Sequence, residues 1–179
     1  EVATSAYQTP ASLRSMLRAV TDDMVNVFVG IVALAAVFAF RSIPQAKRYF
    51  DAAIQNGQGL VRMEYADNFD GGEKLAQLEI ARKAFEQAIE TNPTFATSYY
   101  KLGHVYNQLA SLQPELSDGF IEKAVATYER LNEVNPHYSE VHLNLAIMYW
   151  EQSRRTANDA DSLKLTEHAY SEITEAARQ

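Results

Sequence analysis

A pattern of apolar and small residues recurs in this chain at an interval of 43 residues. The positions 43 residues after Leu102, Gly103 and Tyr106 hold Leu145, Ala146 and Tyr149. The positions 43 residues before Ala124, Tyr128, Leu131 and Pro136 hold Ala81, Phe85, Ala88 and Pro93. A weaker third copy follows two residues late and consists of Ala169, Ile173 and Ala176. Self-similarity at such an interval is typical of repeat proteins, in which each unit buries its apolar face against its neighbours.

The spacing within each copy is that of an amphipathic helix. Apolar residues recur three and four positions apart in the stretch from Tyr99 to Leu109, which forms an apolar stripe on a helix. Asn92–Pro93 and Asn135–Pro136 mark helix ends, because proline disfavours the helical state of the residue before it. We therefore predict three helix pairs, with helices over about 45–66, 74–91, 95–111, 118–134, 138–154 and 160–178. The step back from Leu102, Gly103 and Tyr106 falls on Gly59, Leu60 and Met63, so the first pair is predicted to be a degenerate copy.

These half-repeats resemble the tetratricopeptide repeat, a helix–turn–helix unit of about 34 residues. The first helix reads Y-x2-L-G-x2-Y over 99–106 and H-x2-L-A-x2-Y over 142–149. The second helix reads A-x3-F-x2-A-x4-P over 81–93 and A-x3-Y-x2-L-x4-P over 124–136. The chain departs from the family in two ways. It carries roughly nine extra residues in the turn between the helices of a repeat, and Tyr99 and His142 stand where the family prefers tryptophan.

The resemblance implies an all-α fold, namely a right-handed superhelical solenoid of about three repeats, over roughly residues 45–179. Together with the apolar segment described next, it gives three predicted parts. Residues 1–21 form a partly amphipathic N-terminal segment, 22–42 a transmembrane helix and 43–179 the repeat domain. Within that domain the repeats cover about 45–93, 95–136 and 138–178.

The segment Met24–Phe40 contains seventeen residues without a charge. Its helical length of about 25 Å lies inside the range of membrane-spanning helices. A three-repeat solenoid has no interior that could surround such a helix, and acidic rather than basic residues precede it, unlike in a secretory signal. Two arginines precede the segment, and Arg41, Lys47 and Arg48 follow it. The positive-inside rule therefore slightly favours repeats in the cytoplasm, whereas bacterial proteins of similar architecture often hold them in the periplasm or outside the cell.

Small residues fall on one side of this segment, at Gly30, Ala33 and Ala36. Small side chains allow helices to approach closely in lipid, so this face is a candidate for packing against another membrane helix. Ordinary use of alanine in a membrane helix is the alternative.

Charge and motifs exclude several classes of function. The formal net charge of −7 argues against nucleic acid as a ligand, since phosphates require a clustered basic face. The chain has no cysteine for a disulfide, a thiolate metal site or a nucleophile. Neither HExxH nor GxSxG is present, and His104 and His142 differ in register by four residues, which makes a shared metal improbable. We expect no metal, no cofactor and no catalytic residue.

The resemblance also implies a binding surface on the first helix of each repeat. The candidate groove residues are Tyr100, His104, Asn107, Leu143, Asn144, Ile147 and Trp150. The apolar members suit an anchor from a peptide or helix, and the two asparagines are expected to bind its backbone. The family's clamp for a terminal carboxylate needs lysine and arginine, which this groove lacks. The alternative for Trp150 is that it packs inward against the last helix.

Two functions follow from these features. The first is a non-catalytic, membrane-anchored scaffold that binds a protein partner, including an integral membrane protein, as an accessory subunit of a larger membrane complex. The second is the C-terminal membrane helix and repeat tail of a multipass bacterial polysaccharide polymerase or ligase.

Overall fold

The computed structural model describes residues 11–138 and 140–178, and within these ranges the chain forms helices and no strands. The six α-helices are α1 (Ala11–Ala66), α2 (Gly71–Thr91), α3 (Ala96–Leu112), α4 (Ser117–Val134), α5 (Val141–Arg155) and α6 (Asp159–Ala176). A 3₁₀ turn, Pro114–Leu116, precedes α4. The predicted all-α fold is confirmed, as are the five helices from α2 to α6 to within about three residues at each end.

The first helix differs from the prediction. The sequence predicted a separate helix beginning near residue 45, whereas α1 continues through Pro44. Proline lacks the N–H that would bond one turn back, so its presence removes one hydrogen bond without ending this helix. The chain divides into two compact units between Ala46 and Lys47. In the first unit the apolar side chains from Val27 to Phe40 are exposed.

The second unit, from residue 47 onward, consists of helices that pack on their neighbours in chain order. Its core is continuous from the end of α1 to α6. The largest fully buried side chains are Tyr128, Phe85, Leu78, Leu109, Leu131, Leu145, Met148, Val105 and Val141. Because these residues come from α2, α3, α4 and α5, every internal helix contributes one apolar face to the same core.

A glycine in one helix and an aromatic ring in the next form the contact within the first two pairs. A Cβ placed on Gly59 of α1 would lie 2.6 Å from the ring of Phe85 in α2. A Cβ placed on Gly103 of α3 would lie 2.5 Å from the ring of Tyr128 in α4. Only glycine permits these approaches without a shift of the ring. The structure therefore matches Gly59 with Gly103, at a spacing of 44 rather than 43, and the predicted register of the first helix was wrong by one residue.

A second contact recurs between successive pairs. The Tyr106 hydroxyl of α3 donates to Glu86 of α2 at 2.8 Å, and the Tyr149 hydroxyl of α5 donates to Glu129 of α4 at 2.6 Å. Both donors and both acceptors are 43 residues apart. The interval in the sequence thus corresponds to a repeated contact between helices.

The helix ends explain how the repeats are separated. Asn92 and Asn135 are the C-caps of α2 and α4, as the Asn–Pro steps predicted, and their backbone N–H groups donate to Ala88 and Leu131. The helices predicted over 95–111 and 118–134 left a turn between them. In the structure α3 ends at Leu112, and the connection to α4 contains the 3₁₀ turn Pro114–Leu116.

Candidate partner-binding groove

An apolar groove of about 300 Å³ lies between α5 and α6. Its lining consists of Leu143, Ala146, Ile147 and Trp150 from α5, and of Thr166, Ala169, Tyr170 and Ile173 from α6. None of these side chains is charged. We call this site the α5–α6 groove.

Helical spacing brings the lining residues together. Leu143, Ile147 and Trp150 are four and three positions apart, so they lie on one face of α5. The buried Ala146 and Ala169 form the floor, where small side chains leave space between the helices. The large side chains around them remain about half exposed, with Trp150 at 49% and Ile173 at 50%.

Three of the seven predicted groove residues line this site, namely Leu143, Ile147 and Trp150. Tyr100 lies in a different cluster, where its ring centroid is 4.7 Å from His104 and 5.1 Å from Tyr138. Because Tyr138 lies just before α5, the chain that enters α5 covers Tyr100. Tyr100 and His104 are accordingly less exposed than the three lining residues.

Burial sets the ionisation of the Tyr100 cluster. It raises the pKa of Tyr100 to about 12, with a further contribution from a hydrogen bond to Glu140. It also lowers the pKa of His104, and Lys101 adds to that effect. Both rings are therefore neutral at pH 7, and the cluster acts as packing between α3, α4 and the start of α5.

Of the two asparagines predicted to bind a peptide backbone, Asn144 has its side chain engaged in a local hydrogen bond. Asn144 is half-buried, and its side-chain amide donates to the Glu140 carbonyl at 2.7 Å. Asn107 is also half-buried, and its backbone carbonyl accepts from the Ser111 hydroxyl at 3.2 Å. Asn144 is thus less available to a ligand than the sequence suggested.

The groove residues predicted from the sequence include none from the α6 side. Tyr170, which is 67% exposed, was not proposed as a site residue. Ile173 and Ala169 were recognised only as the weak third copy of the repeat. That copy was the available signal, because Ile173 stands where the repeat would place the ring equivalent to Tyr128. Trp150 was predicted either to line the groove or to pack inward against the last helix. It lines the α5–α6 groove together with residues of α6 and remains half-exposed.

Helix α1 carries the second candidate surface. Within the described part of the chain it is the helix long and apolar enough to cross a membrane, and the apolar window is unburied. Gly30, Ala33 and Ala36 are exposed there, and a Cβ on Gly30 would meet nothing within 4 Å.

Comparison with family models and with curated proteins finds no match to this chain. Among the residues that the structure describes, no group of three or more histidine, aspartate or glutamate side chains is placed to hold a metal ion.

Proposed function

We propose that this chain is a membrane-anchored repeat protein of the tetratricopeptide type, which binds a protein partner through the α5–α6 groove. The exposed apolar lining of that groove is the observation that carries the proposal. In this view the protein performs no turnover and serves as an accessory subunit of a larger membrane complex.

The chemistry of the groove supports partner binding. A tryptophan and a tyrosine flank an uncharged cleft, and large aromatic side chains are enriched at the centres of protein interfaces. Five large apolar side chains are exposed together, namely Leu143, Ile147, Trp150, Tyr170 and Ile173. Contiguous exposed apolar surface is costly in water and marks an interaction site more often than an isolated exposed leucine does.

The apolar part of α1 supports the anchor. Its side chains from Val27 to Phe40 are exposed, so the residues that the structure describes do not bury them. A lipid bilayer would bury them, and the small face at Gly30, Ala33 and Ala36 would allow a second membrane helix to approach. The basic residues that follow the segment place the repeats in the cytoplasm in this proposal, with the periplasm or exterior as the alternative.

Membrane fractionation tests the anchor. The full chain should sediment with membranes and resist carbonate extraction, and Ala33→Arg should release a measurable fraction, since a central arginine costs on the order of 3 kcal/mol on insertion scales. Ser111→Arg, at an exposed position of α3, is the matched control. Release of the wild-type chain by carbonate would contradict the anchor.

Co-purification from native membranes tests the partner. An integral membrane protein should co-purify with the full chain, and Trp150→Ala should weaken the association by more than about 1 kcal/mol. Ile80→Ala is the control, because Ile80 is 45% exposed on α2 and lies outside the α5–α6 groove. Equal retention of the partner by both variants would move the contact elsewhere, with the small face of α1 as the next candidate.

A further inference from the structure

The occupant of the α5–α6 groove can be inferred from what covers the same position in the earlier helix pairs. Asn56, Tyr100 and Leu143 are equivalent, at spacings of 44 and 43 residues. Near the start of α3, the Ser98 hydroxyl donates to Asn56 at 3.0 Å. Before the start of α5, Tyr138 packs on Tyr100. The beginning of the following helix therefore covers this position in both earlier pairs, whereas Leu143 is 53% exposed.

The two covering helices share a sequence pattern. An aromatic residue at the entry is followed seven positions later by leucine and four positions after that by tyrosine. For α3 the pattern is Phe95, which is its N-cap, followed by Leu102 and Tyr106. For α5 it is Tyr138, which precedes the helix, followed by Leu145 and Tyr149. The leucines are buried, and the tyrosines donate to a glutamate of the preceding pair.

Among the helices that the structure describes, a second copy of this chain does not supply such a helix. At the equivalent positions, 44 residues before those of α3, the first helix carries Asp51, Gln58 and Arg62. Arg62 is already engaged, since its guanidinium donates to Gln77 at 3.2 Å. The matching faces of α3 and α5 are buried in their own core.

We propose that the α5–α6 groove binds an amphipathic helix of a second protein, docked as α5 docks on α3 and α4. The inference rests on the proposed function and specifies the class of partner. The docking stripe of that helix carries an aromatic residue, a leucine seven positions on and a further aromatic residue four positions after that. Apolar anchors on one helix face are the usual means by which a helix occupies an apolar groove.

A peptide that copies residues 136–155 provides the probe. Its outer face is made polar by Leu143→Lys, Ile147→Lys and Trp150→Gln, so that the large apolar side chains that remain are the docking stripe and the two residues buried beside it, Val141 and Met148. The chain contains a single tryptophan, Trp150, which lines the groove and reports its occupancy. The protein is the full chain in lipid nanodiscs, and empty nanodiscs control for adsorption of the peptide to lipid.

We expect the peptide to shift the Trp150 emission to shorter wavelength in a saturable manner and to gain helicity on binding. Leu145→Glu in the peptide should weaken binding at least about tenfold, because it places a charge in the apolar stripe. Ile173→Glu in the protein should have a similar effect, whereas Ile80→Glu should leave binding unchanged. Unaltered helicity and melting temperature of both protein variants will show that they remain folded.

Three results would overturn this proposal. Absence of a saturable shift would exclude helix docking, and the proposed function would still stand if Trp150→Ala releases the partner in co-purification. Equal binding of the Leu145→Glu peptide would show adsorption without a specific stripe. A concentration-dependent blue shift of the chain alone, abolished by Ile173→Glu, would assign the groove to a second copy.

Discussion

The α3–α4 pair and the α5–α6 pair each have a small residue at the same position of their first helix. They differ in the side chain at the equivalent position of the second helix. In α3–α4 the ring of Tyr128 lies against Gly103, and Tyr100 and Tyr138 complete an aromatic cluster. In α5–α6 the small residue is Ala146, and Ile173, at the position equivalent to Tyr128 in the weak third copy, lines the open α5–α6 groove with it. The exchange of a ring for an aliphatic side chain thus accompanies the change from a filled interface to an exposed one.

This difference shows how helix pairs of the same pattern can differ in the apolar surface that they expose. Each pair in such a fold is stabilised mainly by its neighbours, so a pair exposes this surface wherever no helix packs on it. Tyr100 and Leu143 are equivalent positions of the repeat. Tyr138 packs on Tyr100, whereas Leu143 in the α5–α6 groove remains exposed. Substitutions at matched residues of the two pairs should therefore have unequal effects on stability.

The largest difference in lost stability is expected between substitutions of Tyr128 and Ile173. Tyr128→Ala should destabilise the chain by about 3–5 kcal/mol, because Tyr128 is 1% exposed and its removal leaves a large cavity. Ile173→Ala should cost about 1 kcal/mol or less, since half of its surface already contacts water. Chemical denaturation followed by circular dichroism measures both. Equal losses would mean that the groove is filled in solution.

A smaller inequality is expected at the small residues themselves. Gly103→Leu should cost about 1–3 kcal/mol, because its Cβ would lie 2.5 Å from the Tyr128 ring and the added atoms must displace that ring. Ala146→Leu should cost less than about 1 kcal/mol, since its added atoms extend into the α5–α6 groove. Thermal melting of the two variants checks the difference. An unchanged melting temperature for Gly103→Leu would remove Gly103 from the helix contact.

The sequence predicted the helices well because their signals are local. Apolar spacing and the Asn–Pro steps determine where α2 to α5 form and end, and both can be recognised in a single helix. The prediction for α1 was wrong because a proline in a long helix removes one hydrogen bond among many. The spacing of 44 between Gly59 and Gly103 was missed because pattern matching favoured one constant interval.

The site was predicted less well because it depends on which helix follows. Tyr100 and Leu143 hold the same place in their repeats, so the sequence assigned both to one groove. The structure separates them, since Tyr138 packs on Tyr100 and Leu143 remains exposed. Tyr170 was missed because α6 follows the repeat interval poorly. Tyr170 lines the groove because α5 and α6 pack side by side, which the repeat interval alone does not indicate.

Alkaline pH should destabilise the α3–α4 pair. Burial raises the pKa of Tyr106 to about 12, with a further contribution from its hydrogen bond to Glu86, and burial also raises the pKa of Tyr128. An unfolded tyrosine loses its proton near pH 10. The stability that these neutral rings contribute is therefore fully present below about pH 10 and is lost as the pH rises towards 12.

Melting temperatures between pH 9 and 12 measure this loss. Tyr106→Phe removes one of the titrating hydroxyls and should make the melting temperature fall less steeply over that range. Tyr170→Phe is the control at an exposed position of the α5–α6 groove and should leave the slope unchanged. Identical slopes for the wild-type chain and Tyr106→Phe would contradict the role of this ring.

The smallest effect is expected where the two pairs are alike, in the tyrosine–glutamate contact between successive pairs. Tyr106→Phe and Tyr149→Phe each remove one hydrogen bond to a carboxylate and should each cost about 1.5 kcal/mol at pH 7, the lower end of the range for bonds to charged groups, because both carboxylates contact water. Neither substitution leaves an isolated buried charge, because Glu86 keeps its ion pair with Arg82 and Glu129 is exposed. Denaturation of both variants should therefore give losses that agree within about 0.5 kcal/mol. A clearly larger loss for one of them would show that the contacts of α3 with α2 and of α5 with α4 are not energetically equivalent. It would also weaken the use of α5 as the template for the helix that occupies the α5–α6 groove.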